Sequence, residues 1–193
     1  MSELSPQAGM VDNPDELFDL VDEQDTVIGV VRRGDAHRDK SLIHRSVQIL
    51  VIDRAGRALL QLRSVHKDLF PGYYCASASG HVASGETYDD TARREIIEEL
   101  GVAPPLRGLG AGIVRSDYET EMTALYIARH DGPFRFHPGE TDGGRFFTLD
   151  ELRATRAWLP MTPALVAALD EIEPRLASGE DLLAPEADTE ADA

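Results

Sequence analysis

Gly80 to Val102 reads GHVASGETYDDTARREIIEELGV, and its centre, Arg94-Glu95-Ile96-Ile97-Glu98-Glu99, decides how the chain is read. Glu95, Glu98 and Glu99 recur at i, i+3 and i+4, the spacing that puts side chains on one face of a helix. Ile96, Ile97 and Leu100 are expected on the opposite side, against a core. Thr87 followed three residues later by Asp90 has the form of a capping box, with Asp in place of the usual Glu or Gln. Gly101, just past the last periodic residue, suits a left-handed helix stop. The stretch predicts one helix between Thr87 and Gly101.

Three carboxylates on one turn repel one another, which raises their pKa values unless a cation sits among them. A solvated acidic face is the ordinary explanation of such a run. Two features weigh against it: an apolar flank that holds the helix on a core, and a glycine-containing loop before it. The set suits a hard divalent cation such as Mg²⁺, which takes carboxylate oxygens and keeps waters or substrate phosphates as its other ligands.

The same stretch resembles the Nudix signature, Gly-x5-Glu-x7-Arg-Glu-U-x-Glu-Glu-x-Gly-U, where U is bulky and aliphatic. Gly80, Glu86, Arg94, Glu95, Glu98, Glu99 and Gly101 fill the strict positions, and Ile96 and Val102 the aliphatic ones. A long motif with fixed gaps is far more specific than an isolated glycine pattern. The resemblance implies an α/β protein, an α/β/α sandwich with a mixed sheet between helices, over roughly residues 16–177. It also implies Mg²⁺-dependent hydrolysis of a pyrophosphate bond. Glu95 and Glu99 would then be metal ligands, and Glu98 a ligand or the general base. Arg94 would orient these carboxylates through charge-assisted hydrogen bonds. Gly80 would permit a close backbone approach.

The length of 193 residues fits one domain with tails. The net charge of −16 disfavours a nucleic-acid polymer as partner and leaves small phosphorylated ligands open. No apolar run is long enough to span a bilayer. The polar, acidic start MSELSPQAGMVDNPDE does not read as a secretory signal. Cys75 is the only cysteine, which excludes an internal disulfide framework and points to the cytoplasm. Residues 1–15 and the acidic, alanine-rich residues 178–193 read as disordered tails.

Along the chain, Leu17 to Val21 and Thr26 to Val31 read as a hairpin. Val47 to Ile52, Ala58 to Leu62, Tyr73 to Ala78, Leu106 to Val114, Met122 to Ala128 and Arg145 to Phe147 read as further strands. Gly108-Leu109-Gly110-Ala111-Gly112 lacks dinucleotide-motif spacing and reads as a glycine-rich strand with a bulge. Thr148 with Glu151 caps a short helix, and Thr162-Pro163 opens one running to about Leu176. Strands before and after one long helix, with helices again at the end, give a mixed sheet packed between helices. The sequence leaves open a homodimer in which the N-terminal hairpin pairs across the interface.

Beyond the signature, the chain resembles the branch of Nudix proteins related to isopentenyl-diphosphate isomerase. His37 and His44 match that enzyme's paired histidines in spacing, Ser79-Gly80-His81 its Cys-Gly-His, and Glu119-Thr120-Glu121 its Glu-x-Glu. Arg63 and Lys67 match positions that grip its diphosphate. The resemblance implies a second metal site from His37, His44, His81 and Glu119, with Glu121 as a catalytic acid. Mixed histidine and carboxylate donors would suit Mn²⁺ or Zn²⁺ there. Taken alone, the histidines could be ordinary loop and strand-end residues, and Glu119 and Glu121 a solvent-facing alternation.

Three departures favour hydrolysis over isomerisation. Ser79 stands where the isomerase needs a thiol, and a serine hydroxyl is a far poorer acid and base. Ala164 stands where the isomerase has a shielding aromatic residue, while Trp158 is out of register and expected in the core. The signature is also complete, whereas the isomerase has lost much of it. The readings that follow are a hydrolase of small nucleoside-diphosphate-linked or related substrates, an isomerase variant, and a non-catalytic nucleotide sensor.

Overall fold

The computed structural model describes residues 13–67, 69–137 and 139–184. Among the described residues, nine strands form one mixed sheet. In chain order they are β1 (Leu17–Val21), β2 (Val27–Arg32), β3 (Ile43–Ile52), β4 (Ala58–Arg63), β5 (Tyr74–Cys75), β6 (Ala78–His81), β7 (Leu106–Arg115), β8 (Thr120–Arg129) and β9 (Thr141–Phe147). The helices are α1 (Arg33–Ala36), α2 (Tyr88–Leu100), α3 (Leu149–Thr155) and α4 (Pro163–Ala177).

The sheet is built on β3. Along one edge β3 pairs in parallel with β8, from Ile43 opposite Thr120 to Ile52 opposite Arg129. Along the other it pairs antiparallel with β1 at Ile43 and His44, with β6 from Ser46 to Ile49, and with β4 at Val51 and Ile52. Three strands share that edge in succession, and His44 and His81 lie where β1 gives way to β6. Alternation along β3 sends Val47, Ile49 and Val51 to the face covered by Ala92, Ile96 and Leu100 of α2. Leu50 faces the opposite layer, with Leu152 of α3 and Leu165 and Leu169 of α4. The expected α/β/α arrangement follows. Leu169 is 1% exposed in that second layer. Leu169→Ala should therefore cost about 2–5 kcal/mol, read as a lowered urea midpoint at unchanged slope.

Helix α2 starts and stops as its sequence predicts. The Thr87 hydroxyl oxygen accepts the Asp90 N–H, and Gly101 closes the helix at φ 69, ψ 23. The reciprocal half of the capping box differs: Asp90 accepts from the Thr87 hydroxyl at 2.7 Å. Ile97 also departs from expectation, being 51% exposed. Ile96 and Leu100 are one turn apart and share the buried face, while Ile97 lies about 100° round, above exposed Arg93.

Other boundaries shift. Strand β3 begins at Ile43, so His44 lies in the sheet rather than in a polar connection, and that connection holds α1. The expected bulge in the glycine-rich strand is present, as a register shift against β8 between Gly108 and Gly110. Trp158, expected in the core, is 69% exposed in the turn after α3. Neighbouring Met161 takes a core place instead. Residues 178–184, read as the start of a tail, fold back: Leu182 is 2% exposed, and Arg107 donates to the carbonyl of Asp181 at 2.8 Å. The rest of both expected tails, 1–12 and 185–193, lies outside the described residues. No helix among the described residues is long and apolar enough to cross a membrane.

Candidate active site

Arg94 is the hub of the signature helix. Its guanidinium donates twice to Glu86, from Nε to Oε1 and from Nη2 to Oε2, both at 3.1 Å. Its Nη1 donates to Glu95 Oε1 at 2.6 Å and to Glu98 Oε2 at 3.4 Å. A planar fork with several donors can hold three carboxylates in fixed relation, which a lysine could not. The Arg94 hydrogen bonds hold the Glu86 carboxyl below its usual range.

The two inner carboxylates are perturbed the other way. Burial pushes Glu95 up to about 7, against the opposing charge of Arg94. Burial, then the charge of Glu95, pushes Glu99 up to about 8. Glu99 accepts from Gln61 Nε2 at 2.8 Å and from the Ser79 N–H at 3.4 Å. Glu98 is the open member, with about half of its side chain exposed. Gly80 allows a close approach, as expected, but of a side chain: the Glu95 carboxylate packs directly on it.

A second cluster sits across the same opening. His37 follows α1, His44 lies in β3, His81 ends β6, and Glu119 precedes β8. Parallel pairing sets His44 opposite Glu121, and the β3–β6 register sets His81 opposite Ser46. One donor atom from each of His37, His44, His81 and Glu119 falls within 4.8 Å of all the others. Glu119 Oε2 is 3.1 Å from His37 Nε2, 3.8 Å from His44 Nε2 and 3.9 Å from His81 Nε2. Phe18 stacks on His44 and His81, with ring centroids 5.1 and 4.9 Å away.

Burial, then the nearby His81, draws the His44 pKa down to about 3. Burial alone would raise Glu119, but the neighbouring His81, then His37 and His44, hold its carboxyl below the usual range. Burial, then the Glu119 charge, raises Glu121 to about 7. Neither ring nitrogen of His44 has a hydrogen-bond partner among the described residues. A buried imidazole left open at both nitrogens fits a metal ligand.

Both clusters open on one cleft of about 1170 Å³, which Arg63 and Lys67 also line. Lys67 pairs with Glu140 at 2.6 Å, and Arg63 Nε donates to the Leu69 carbonyl at 3.1 Å. Cys75 also reaches the cleft, but burial and then the Glu99 charge push its thiol up to about 12, so it stays protonated. Every residue assigned from sequence to catalysis, phosphate binding or metal ligation lines this cleft except His44, which lies fully buried. Gln61, which holds Glu99, and His137 and Glu140, which line the cleft, were not foreseen. For Gln61 the signal available was a glutamine within the apolar run ALLQLR.

The raised carboxyls predict a pH dependence. For Glu95, Glu99 and Glu121 the folded state holds protons that the unfolded chain releases near pH 4.5. Their contribution to stability is therefore lost as pH rises through about 7 to 8. His44 works oppositely, but its contribution is complete above 6.5. The metal-free protein should thus lose melting temperature between pH 6.5 and 8, and a divalent cation should restore it. Melts with chelator across that range check this; a flat profile contradicts it.

A family model for the NUDIX domain matches residues 42–167. An uncharacterized Nudix hydrolase of Pseudomonas aeruginosa is 35% identical over 159 residues, covering 80% of this chain and 91% of that protein. An isopentenyl-diphosphate Delta-isomerase of Streptomyces avermitilis is 32% identical over 166 residues, covering 82% and 84%. Among solved structures, a Deinococcus radiodurans protein superposes with a TM-score of 0.71 at 28% identity, covering 82% of this chain and 99% of that one. The NUDIX domain of a Shewanella oneidensis protein, solved with ADP ribose, has a TM-score of 0.55 at 18% identity, covers 68% and 86%, and bears on the fold alone.

Proposed function

The chain belongs to the Nudix family, and from this premise we infer a divalent-metal-dependent hydrolase that cleaves the pyrophosphate bond of a small nucleoside-diphosphate-linked or related substrate. The observation that carries the reading is the arrangement around Arg94: one guanidinium fixes Glu86, Glu95 and Glu98 at the wall of a cleft that Arg63 and Lys67 also line. We take residues 16–177 as the catalytic unit, a small phosphorylated molecule rather than a nucleic-acid polymer as the partner, and the cytoplasm as the compartment.

Glu95, Glu98 and Glu99 are an all-oxygen donor set that fits Mg²⁺, with Mn²⁺ as an alternative. When bound, such a cation neutralises phosphate charge and makes water more acidic. The protein's own groups do the rest. Glu98, the most open of the three, takes the proton of the attacking water. Arg94 positions the carboxylates and does not itself touch substrate. Arg63 and Lys67 hold the phosphates, which requires Lys67 to exchange its Glu140 partner for a phosphate oxygen. His37, His44, His81 and Glu119 would hold a second cation, and their nitrogen-rich set suits Mn²⁺ or Zn²⁺.

One observation favours the isomerase reading. Glu121, raised to about 7, lies 3.5 Å from His81 and could deliver a proton to a substrate carbon. Against it, Ser79 offers no thiol, the Cys75 thiol is held protonated, and no aromatic ring occupies position 164.

A panel of nucleoside di- and triphosphates, sugar nucleotides, dinucleotide cofactors and prenyl diphosphates, run with Mg²⁺ and with Mn²⁺, tests the proposal. Phosphate-containing products should form from at least one, and Glu98→Gln should slow their release by about 10²-fold or more. Incubating isopentenyl diphosphate in deuterated water tests the rival. Deuterium incorporation with a dimethylallyl product, and no hydrolysis across the panel, would reverse the order of the two readings.

A further inference from the structure

A second cavity, of about 200 Å³, lies between β7 and α4. It meets the cleft where the two share Gln48, Val114 and Ala164. Small residues keep it open. The wall from β7 is the glycine-rich stretch around Gly110, Ala111 and Gly112, and the wall from α4 carries Ala164, Ala167 and Ala168. Gly112 is not required by a left-handed backbone, and a Cβ added there would meet no atom within 4 Å. Gly110, Ala111 and Gly112 are exposed, so the pocket opens to solvent on the strand side while Ala164 and Ala168 close it from below.

The second observation is Gln48. Period-two alternation along β3 puts His44, Ser46 and Gln48 on one face. The row changes in character along the strand. His44 belongs to the four-donor cluster, and Ser46 shares a hydrogen bond with Thr123 at 2.9 Å. Gln48 is 7% exposed, and its Oε1 has no partner among the described residues. A buried carbonyl oxygen left without a donor is costly, and it sits where the cavity joins the cleft.

We propose that this cavity is the subsite for the smaller group attached to the pyrophosphate, a compact, mainly apolar group whose one hydrogen-bond donor meets Gln48. The proposal rests on the cleft being a pyrophosphate site and adds which substrates it selects. The volume sets how much of a group can be seated. A cavity of about 150 Å³ holds the six carbons of benzene, so the part of a ligand seated here is about eight heavy atoms. A nucleoside is more than twice that and belongs elsewhere in the cleft. The lining includes no aromatic side chain on which a base could stack, while Leu109, Ile113, Val114 and Leu125 supply apolar surface.

The test compares three ligands: inorganic pyrophosphate, isopentenyl diphosphate, and 3-hydroxy-3-methylbutyl diphosphate, which adds a hydroxyl donor. Binding with Mg²⁺ is followed by NMR in the Glu98→Gln protein, so that ligands survive, with alanine methyls and backbone amides observed. All three should shift the Glu95 and Glu99 amides. Only the two organic ligands should shift the Ala167 and Ala168 methyls, and the hydroxylated one should bind about fivefold tighter. Gln48→Leu should abolish that preference. Gly112→Val, which fills the space from the strand side, should weaken both organic ligands and leave pyrophosphate unchanged. Alanine methyls that respond to none of the ligands, or equally to pyrophosphate, overturn the subsite, as does a preference that survives Gln48→Leu. Silence of the Glu95 and Glu99 amides with every ligand would instead remove the pyrophosphate site itself, and the subsite with it.

Discussion

Glu99→Gln is expected to lower kcat/KM by about 10³-fold on whichever substrate the panel identifies, with no loss of melting temperature. The substitution keeps the side-chain shape, removes the charge and turns one acceptor oxygen into an NH2. Gln61 can still donate to the remaining carbonyl oxygen, since its present bond to Glu99 is 2.8 Å, and only the longer 3.4 Å bond from the Ser79 N–H is given up. Removing the charge also relieves what raises Glu99 to about 8, namely burial and the repulsion of Glu95. Above neutral pH the metal-free variant should therefore melt at or above the wild type. Catalytic function moves the other way. A carboxylate held in unfavourable surroundings is a strong ligand when a cation arrives, and the amide is a weak one. The two effects separate cleanly in a chelator-and-metal melting series beside steady-state kinetics. Turnover within threefold of wild type would show that the box is not the catalytic centre. Loss of folding without metal would show that the charge has a structural role that burial argues against.

What the sequence made legible divides along physical lines. The signature helix was readable because its information is local: a hydroxyl cap at Thr87, a stop at Gly101, and carboxylates one turn apart. Such features act within a few residues and do not wait on tertiary contacts. Ile97 was misjudged because two adjacent isoleucines cannot both face a core, and composition alone does not say which turns away. Trp158 was misjudged because a turn has no period to assign a side chain to one face. The His37, His44, His81 and Glu119 cluster is a different case. Four separate segments supply it: the β3–β6 and β3–β8 registers bring His44, His81 and the start of β8 beside Glu119 together, and His37 joins from the turn after α1. Sequence offered the residue types in order, and a family resemblance supplied the grouping. Gln61 and Gln48 each interrupt an apolar strand. A polar residue at an inward position must be paired or have a ligand, so ALLQLR and VQILVI each carried a signal that periodicity alone discards.

Gly80→Ala provides the complementary case, in which the carboxylate keeps its charge and loses its place. A Cβ at position 80 would lie 2.0 Å from Glu95 Oε1, 2.2 Å from its Cδ and 2.7 Å from its Cγ. None of these distances is tolerable, so Glu95 must move. The atoms in conflict belong to a side chain with three rotatable bonds, and the core contacts of Ile96 and Leu100 on the same helix are untouched. Glu95 escapes by rotation at small cost to folding, but it abandons the 2.6 Å bond from Arg94. Misplacing one ligand or its orienting partner typically costs 10–100-fold in metal affinity or activity. We expect a loss of about that size in Mg²⁺ affinity by calorimetry, a similar loss in kcat/KM, and a melting temperature close to wild type. Glu95→Gln in the same background should then add little, because the side chain it alters has already left its position. Full additivity of the two losses would show that Gly80 acts on something other than Glu95, since independent sites add and coupled ones do not.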